Sequence, residues 1–304
     1  MAELKADDGI SIYYEHHRPD PGTPGRPTVV FSCAFCTTHE NWRGQVEPLV
    51  RAGYPVVLWD LRGHGRSEAP EDDAAYSIEK VVGDLRALAD ATTPDAPFVA
   101  AGLSFGGLAS LHLMLRHPDR VAALALFDSG PGFKKPEAAE RWAAQVERTA
   151  RFLETRGFDD FVSGRAGETC IGSRPDLPAA RAAAEAIRRQ NAAGVARFGR
   201  RVAGPAPCVI DELAGMDVPA LVLVGEKDEA YLRAAEVMAA KLPRARHVVI
   251  PGAGHIVNIE EAEAFDRALL GFLDSLESRD SAESSDSDDS DDSDDSAESA
   301  PSSS

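Results

Sequence analysis

Short apolar runs alternate with amphipathic segments along most of the chain. Such runs are typical of strands buried on both faces of a sheet, and an amphipathic helix is predicted where Ser77 acts as N-cap and Val81, Leu85 and Leu88 follow at helical spacing. This alternation predicts an α/β fold with a mostly parallel central sheet and helices on both faces. The predicted strands lie at residues 9–14, 28–32, 57–59, 97–101, 124–127, 219–225 and 246–250.

The strand signal disappears in the middle of the chain, after about residue 130. Trp142, Val146, Ala150 and Leu153 share one helical face there, and residues 179–202 are rich in Ala and Arg. We interpret this stretch as an inserted helical cap. The predicted organisation is a first core part at residues 1–130, the cap at 131–209 and a second core part at 210–279.

The net charge is strongly negative and is concentrated at one end. The chain has 304 residues, 43% of them hydrophobic, which is enough for one large core. Its formal charge of −18 argues against nucleic acid or an anionic membrane as partner, because phosphate binding depends on clustered Lys and Arg. Residues 280–304 contain ten acidic residues and no basic one, so we predict a disordered acidic tail that buries nothing.

A glycine-flanked serine joins one apolar run to a helix-like segment. The motif Gly102-Leu103-Ser104-Phe105-Gly106-Gly107 follows the run at 97–101 directly. A strand that turns abruptly into a helix needs small residues on both sides, exposes the Ser104 hydroxyl, and offers the Phe105 N–H to a developing negative charge. Ser104 is therefore the predicted nucleophile.

A serine nucleophile needs a base and an acid that orients the base. Asp228 follows the apolar run at 219–225, and His255 lies in the loop after the run at 246–250. These two residues are the predicted acid and base. Asp128, which ends the run at 124–127, is an alternative acid, and we favour Asp228.

These residues resemble a known family. The serine motif, the chain order Ser104, Asp228, His255 and the segment 57–67 are similar to the α/β-hydrolase superfamily, with the resemblance covering residues 9–275. The chain is most similar to small carboxylesterases and enol-lactonase-like serine hydrolases. The resemblance implies an α/β-hydrolase fold and catalysis without a cofactor. We interpret His64, within the segment 57–67, as structural.

The resemblance also implies a second oxyanion donor after the strand at 28–32. Family members usually carry His-Gly before this donor, whereas this chain carries Cys33-Ala34. The Phe35 N–H is therefore the predicted second donor, beside that of Phe105. Ala34 lacks glycine's easy access to positive φ, so the oxyanion hole is either intact or reshaped.

The cysteines do not point to a metal or to a disulfide framework. Cys33 and Cys36 form a C-x-x-C motif, but Cys170 and Cys208 are isolated in the sequence, and zinc needs more ligands than one such pair. We interpret Cys33 as a small buried residue beside the site, and expect no metal and no cofactor. The first eight residues lack an apolar signal core, and no apolar run is long enough to span a bilayer, so we expect a cytoplasmic protein without a membrane partner.

The sequence thus predicts a serine hydrolase that cleaves a small-molecule ester or lactone through an acyl-enzyme on Ser104. The alternatives are a carbon–carbon bond hydrolase or perhydrolase of the same fold, and a non-catalytic ligand binder on a hydrolase scaffold. The acyl group, the leaving group and the oligomeric state stay open. The candidate substrate-binding residues are Trp42, Phe133, Trp142 and Ile256, and Phe152, Phe158 and Phe161 are cap aromatics that either line the pocket or only pack.

Overall fold

One eight-stranded sheet forms the centre of the molecule. The computed structural model describes residues 2–23 and 25–286, with side chains of the last helix described as far as residue 276. The strands are β1 (Ala2–Lys5), β2 (Ser11–His17), β3 (Val29–Ser32), β4 (Val56–Trp59), β5 (Phe98–Leu103), β6 (Val121–Phe127), β7 (Ala220–Gly225) and β8 (Ala245–Ile250). Their spatial order is β1-β2-β4-β3-β5-β6-β7-β8, and β2 pairs antiparallel with both β1 and β4 while all other neighbours are parallel.

Helices cover both faces of the sheet. In the described part of the chain they are α1 (Arg43–Arg51), α2 (Ile78–Thr92), α3 (Phe105–Arg116), α4 (Pro136–Ser163), α5 (Glu168–Ile171), α6 (Pro178–Arg188), α7 (Ala192–Phe198), α8 (Glu229–Lys241), α9 (Val257–Glu260) and α10 (Ala262–Asp286). The predicted α/β fold, with its mostly parallel central sheet and helices on both faces, is therefore confirmed.

Alternate residues of the buried strands feed two separate hydrophobic cores. In β3, Val29 and Phe31 pack into the core that contains Phe265 of α10 and Leu49 of α1. Val30 points to the opposite face, into the core formed with α2, α3 and α8. Because both faces are covered, the central parallel strands are apolar at nearly every position, and this is why they form continuous apolar runs in the sequence.

Local signals in the sequence account for several helix boundaries. Ser77 is the N-cap of α2, and its hydroxyl accepts the Lys80 N–H at 3.3 Å, as predicted. The Ala- and Arg-rich stretch forms two helices, α6 and α7, because the Asn191 side chain starts α7 by accepting the Gly194 N–H at 3.0 Å. Strand β1, at the edge of the sheet, was not predicted from the pattern.

Helices α4 to α7 lie between β6 and β7 in the chain, within the segment 131–209 that we predict as the cap. Helix α4 is broken at Gly157, which has a φ of 74°. Trp142 on α4 is half-buried, and its indole N–H donates to the Ala203 carbonyl at 2.7 Å. Val146, Ala150 and Leu153 follow on the buried side of the same helix.

The last helix extends beyond the predicted end of the second core part. We predicted the tail to begin at residue 280, but α10 continues to Asp286. Adding a residue to an existing helix gains a hydrogen bond for each residue fixed, so a polar sequence can continue a helix that it could not start. The rest of the predicted tail, 287–304, lies outside the described residues. Within residues 2–23 and 25–286, no helix is both long and apolar enough to cross a membrane.

Candidate active site

Ser104 lies at the sharp turn between β5 and α3. It has φ 53° and ψ −114°, a conformation that non-glycine residues rarely adopt, and its N–H donates to the Phe127 carbonyl at 2.9 Å. Such strain persists only where the surrounding structure fixes the backbone. The neighbouring strand and the first turn of the helix hold Ser104 in place, with its side chain at the end of the sheet.

The glycines around Ser104 allow backbones to approach closely. A Cβ atom at Gly106 would lie 2.2 Å from the Ser32 carbonyl oxygen, and one at Gly102 would lie 2.2 Å from the backbone of Gly106. At Gly107 a Cβ would lie 2.4 Å from the Ser129 hydroxyl. The small residues of the motif are therefore required for β3, β5 and α3 to pack at this point.

Asp228 and His255 form a hydrogen-bonded pair at the same end of the sheet. Asp228 follows β7 and precedes α8, His255 lies in the loop after β8, and Nδ1 of His255 is 2.7 Å from Oδ2 of Asp228. Glu260 fixes the histidine loop by accepting the Gly254 N–H at 2.8 Å, and it also accepts the Ser173 hydroxyl proton at 3.0 Å. The acid is nearly fully buried, whereas the His255 side chain is 18% exposed.

Asp128, the alternative acid, does not hydrogen-bond to His255. It is fully buried at the end of β6, has a φ of 42°, and accepts the Gly225 N–H at 2.7 Å through Oδ1. Its Oδ2 has no hydrogen-bond partner among the described residues. Burial, together with the nearby charge of Asp228, raises the pKa of Asp128 well above its usual range, which favours the neutral form of this carboxyl group.

Tyr231 on α8 contacts both the serine and the histidine. Its hydroxyl lies 3.3 Å from Ser104 Oγ, and its ring stacks on His255 with centroids 5.0 Å apart and an angle of 22° between the planes. No hydrogen bond joins Ser104 to His255 in the described part of the structure. Burial raises the pKa of Tyr231, so its hydroxyl is protonated and able to donate.

The two predicted oxyanion donors are free in the described structure, where neither the Phe35 N–H nor the Phe105 N–H donates to another group. Ala34 does not need positive φ, because the left-handed residue of this loop is Cys36, with φ 70°. His64 supports that turn by accepting the Cys36 N–H at 3.2 Å on Nε2. Burial lowers the pKa of His64 to about 4, which keeps it neutral and matches its predicted structural role.

Two apolar cavities meet at Ser104. The larger, of about 310 Å³, also contacts Asp228 and His255, whereas the smaller, of about 230 Å³, extends past Phe105 and Phe133. Both are lined by Phe35, Ser104, Trp142, Ala230 and Tyr231. No Lys or Arg lines either cavity among the described residues.

The four predicted substrate-binding residues divide into two pairs. Trp142 lines both cavities and Phe133 lines the smaller one. Trp42 and Ile256 are fully buried and line neither cavity. Trp42 packs in the core, with its ring centroid 4.6 Å from that of Phe31. Of the other cap aromatics, Phe161 lines the larger cavity. Phe158 is buried, with its ring centroid 5.9 Å from that of Phe161, and Phe152 is 36% exposed.

Two clusters of the described residues bring three possible metal-ligand atoms within 4.8 Å of one another. In one of them, Asp128, Asp228 and His255, the last two are already hydrogen-bonded to each other. In the other, Glu15, His39 and Glu40, the Arg43 guanidinium forms ion pairs with both glutamates. Internal hydrogen bonds and ion pairs therefore already engage both clusters.

Cys33 is buried as predicted, and its thiol donates to the Trp59 carbonyl at 3.3 Å. Its chain neighbour Ala34 lines the larger cavity, whereas Cys33 itself does not. The thiols on the cavity wall belong to Cys36 and Cys170, which the sequence presented as unrelated. Sequence reasoning also missed Tyr231, although its position three residues after Asp228, within one helical turn, was an available signal.

Comparison with known proteins shows the family of this chain. A family model described as alpha/beta hydrolase fold matches residues 27–262. The chain is 28% identical over 267 residues to 3-oxoadipate enol-lactonase 1 of Acinetobacter baylyi, covering 84% of this chain and 91% of the relative. Among solved structures, the enol-lactonase of Burkholderia xenovorans LB400 superposes with a TM-score of 0.75 at 29% identity, covering 90% of this chain and 99% of that one. A thermophilic esterase from Thermogutta terrifontis superposes with a TM-score of 0.77 at 25% identity, covering 90% and 98%. The chain therefore belongs to the α/β-hydrolase fold family.

Proposed function

We propose that the protein is a serine hydrolase that cleaves uncharged small-molecule esters or lactones through an acyl-enzyme on Ser104. The observation that carries this proposal is that the strained Ser104 turn and the Asp228–His255 pair open into one apolar cavity. The likeness to an enol-lactonase and an esterase supports the same class of reaction.

Each residue has a distinct role in the proposed reaction. His255 Nε2 takes the Ser104 proton as the hydroxyl attacks the carbonyl carbon, and Asp228 holds the proton on Nδ1 and stabilises the imidazolium. The N–H groups of Phe35 and Phe105 bind the oxyanion of the tetrahedral intermediate. Before substrate binds, Tyr231 holds the serine hydroxyl, and rotation of the serine side chain towards His255 starts the reaction.

The two cavities suggest how an ester lies in the site. His255 returns its proton to the leaving group, and it lines only the larger cavity, so the alcohol part belongs there. The acyl part then occupies the smaller cavity beside Phe105 and Phe133. Tyr231 stands between the two parts because it lines both cavities.

The lining also predicts selection against charged substrates. A carboxylate on the substrate would enter an apolar site that offers no Lys or Arg among its described lining residues, and burying an unpaired charge costs several kcal/mol. We therefore expect kcat/KM for p-nitrophenyl butyrate to exceed that for mono-p-nitrophenyl succinate by about tenfold or more. Equal rates would contradict an uncharged substrate class.

A fluorophosphonate probe tests the proposal directly. We expect stoichiometric labelling of Ser104, no labelling of folded Ser104→Ala, and turnover of a panel of p-nitrophenyl esters and lactones that the same variant lacks. A folded protein that neither labels nor turns over any activated ester would favour the alternative of a ligand binder. Activity confined to vinylogous diketones, or peracid formation, would instead favour a carbon–carbon bond hydrolase or a perhydrolase.

A further inference from the structure

Two cysteines from distant parts of the chain line the wall of the larger cavity. Cys36 directly follows the proposed oxyanion donor Phe35, and Cys170 lies on α5 within the predicted cap. Both side chains line the cavity that contains Ser104 and His255, although each residue is only 2% exposed. The proposed hydrolytic reaction uses neither thiol.

Buried polar side chains fix the backbone at both cysteines. The Asn41 side chain donates to the Cys170 carbonyl at 2.7 Å, and the Gln190 side chain donates to the Cys36 carbonyl at 2.9 Å. His64 accepts the Cys36 N–H at 3.2 Å. The loop that carries Cys36 and the segment that carries Cys170 are therefore already tied to their surroundings, and little ordering is needed to bring the thiols together.

The two thiols are not equivalent. The neighbouring Cys36 thiol lowers the pKa of Cys170 against the opposing effect of burial. Thr169 Oγ1, 3.7 Å from the Cys170 sulfur, acts in the same direction. Burial raises the pKa of Cys36 well above its usual range. Cys170 is thus the better nucleophile of the pair, and Cys36 is placed to react second.

Small oxidants can reach this pair from solvent. The cavity wall beside Cys170 includes the exposed residues Gln145, Ala166 and Thr169, so the cavity opens to solvent on that side. Cys33, by contrast, is fully buried outside the cavity lining. Oxidation by a small peroxide should therefore distinguish Cys36 and Cys170 from Cys33.

We propose that Cys36 and Cys170 form a peroxide-oxidisable dithiol that closes into a disulfide between the oxyanion loop and the cap. The Cys170 thiolate attacks a peroxide oxygen, the O–O bond breaks, and with one proton the products are Cys170 sulfenic acid and water. The Cys36 sulfur then attacks the Cys170 sulfur, an S–S bond forms, the S–O bond breaks, and the departing hydroxide takes the Cys36 proton as a second water. In total, two thiols are oxidised and one hydrogen peroxide is reduced to two waters.

The disulfide should act on the site because it joins the residue after Phe35 to α5. It replaces two separate thiols on the cavity wall by one rigid bridge and restrains the loop that presents the Phe35 N–H. Loss of one oxyanion donor costs about 10²- to 10³-fold in kcat, so partial displacement should lower ester hydrolysis by about tenfold or more, reversibly. The predicted fall in ester hydrolysis depends on the proposed hydrolytic function. Formation of the disulfide does not depend on it.

Peptide mapping of the full chain tests the disulfide. After treatment with stoichiometric hydrogen peroxide and alkylation of the remaining thiols, we expect a cross-linked peptide pair that contains Cys36 and Cys170, lacks two hydrogen atoms, and separates with dithiothreitol. The matched control Cys208→Ser should form the same cross-link. Cross-links confined to other cysteines, or thiols that stay unreacted or become sulfinic acids, would overturn the proposal.

Two single variants test the order of the steps and the effect on activity. In Cys36→Ser, dimedone should trap a sulfenic acid on Cys170, and absence of the adduct in a protein folded by circular dichroism would refute Cys170 as the attacking thiol. Ester hydrolysis by the wild type should fall with peroxide and recover with dithiothreitol, whereas that of Cys170→Ser should be insensitive to peroxide. If the wild type hydrolyses esters and its rate stays the same after the cross-link has formed, the proposed effect of the disulfide on activity is refuted. A wild type inactive before oxidation would instead count against the proposed hydrolysis alone.

Discussion

Replacing Asp228 by Asn should nearly abolish ester hydrolysis, whereas the same substitution at Asp128 should be mild. Asp228 accepts the Nδ1 proton of His255 at 2.7 Å. An Asn side chain can turn its amide N–H to Nδ1, which moves the ring proton to Nε2 and leaves no base for the Ser104 hydroxyl. We expect kcat to fall by about 10⁴-fold, equivalent to about 5.5 kcal/mol in the activation barrier.

The mild effect at Asp128 follows from its contacts. In Asp128→Asn the amide oxygen would still accept the Gly225 N–H, and the atom that changes, Oδ2, has no partner among the described residues. Burial raises the pKa of this carboxyl group and favours its neutral form, whose charge the amide of Asn preserves beside Asp228. We expect a change in kcat of less than about tenfold, the size of one neutral hydrogen bond.

Steady-state and burst kinetics on p-nitrophenyl butyrate, with thermal melting of both variants, measure this difference. The melting curves separate a catalytic effect from unfolding, because both acids are buried at the ends of adjacent strands. A large loss in folded Asp128→Asn together with near-normal turnover in Asp228→Asn would refute the reasoning and move the acid to Asp128.

Three further predictions concern Tyr231, the serine turn and a buried histidine. Tyr231→Phe should change kcat by less than about tenfold, because it removes one neutral hydrogen bond and keeps the ring stacked on His255. Tyr231→Ala should join the two cavities, because the Tyr231 side chain lines both. The preference for acyl chain length, measured with a series of esters, should then shift to longer chains. Gly106→Ala should lower the melting temperature by several degrees or prevent folding, because its Cβ would lie 2.2 Å from the Ser32 carbonyl oxygen. The control is Gly83→Ala in α2, where a Cβ would meet nothing within 4 Å. This variant should be neutral or stabilising by up to about 1 kcal/mol. Burial lowers the pKa of His39, but hydrogen bonds to Asp60 and Glu40 raise it to about 9. The folded state therefore binds this proton more tightly than the unfolded chain, and the stability gained is complete below pH 6.5 and lost as pH rises through about 9. Urea unfolding measures the difference in the free energy of unfolding between wild type and His39→Gln. This difference should be about 2–3 kcal/mol larger at pH 6 than at pH 10. A difference that does not change with pH would contradict the prediction.

The sequence by itself determined the fold class and the chain order of the proposed catalytic residues. Runs such as those at β5 and β7 are apolar on both faces, so local composition marks them as central parallel strands. The glycines around Ser104 identify the turn, because a Cβ atom at Gly102 or Gly106 would lie 2.2 Å from a neighbouring backbone atom. These signals are local, since each depends on residues that are neighbours in the chain.

Tertiary structure alone decided which distant residues touch. Asp128 and Asp228 both end apolar runs, and only the packing of β6, β7 and the histidine loop placed Asp228 within 2.7 Å of His255. The same packing brought Tyr231 to Ser104, Cys36 to Cys170, and sent Trp42 into the core rather than the cavity. The physical reason is that side-chain contacts between distant segments depend on how the sheet twists and how the cap helices pack on it. Hydrophobic periodicity shows only which face of an element is buried, not which residues that face will contact.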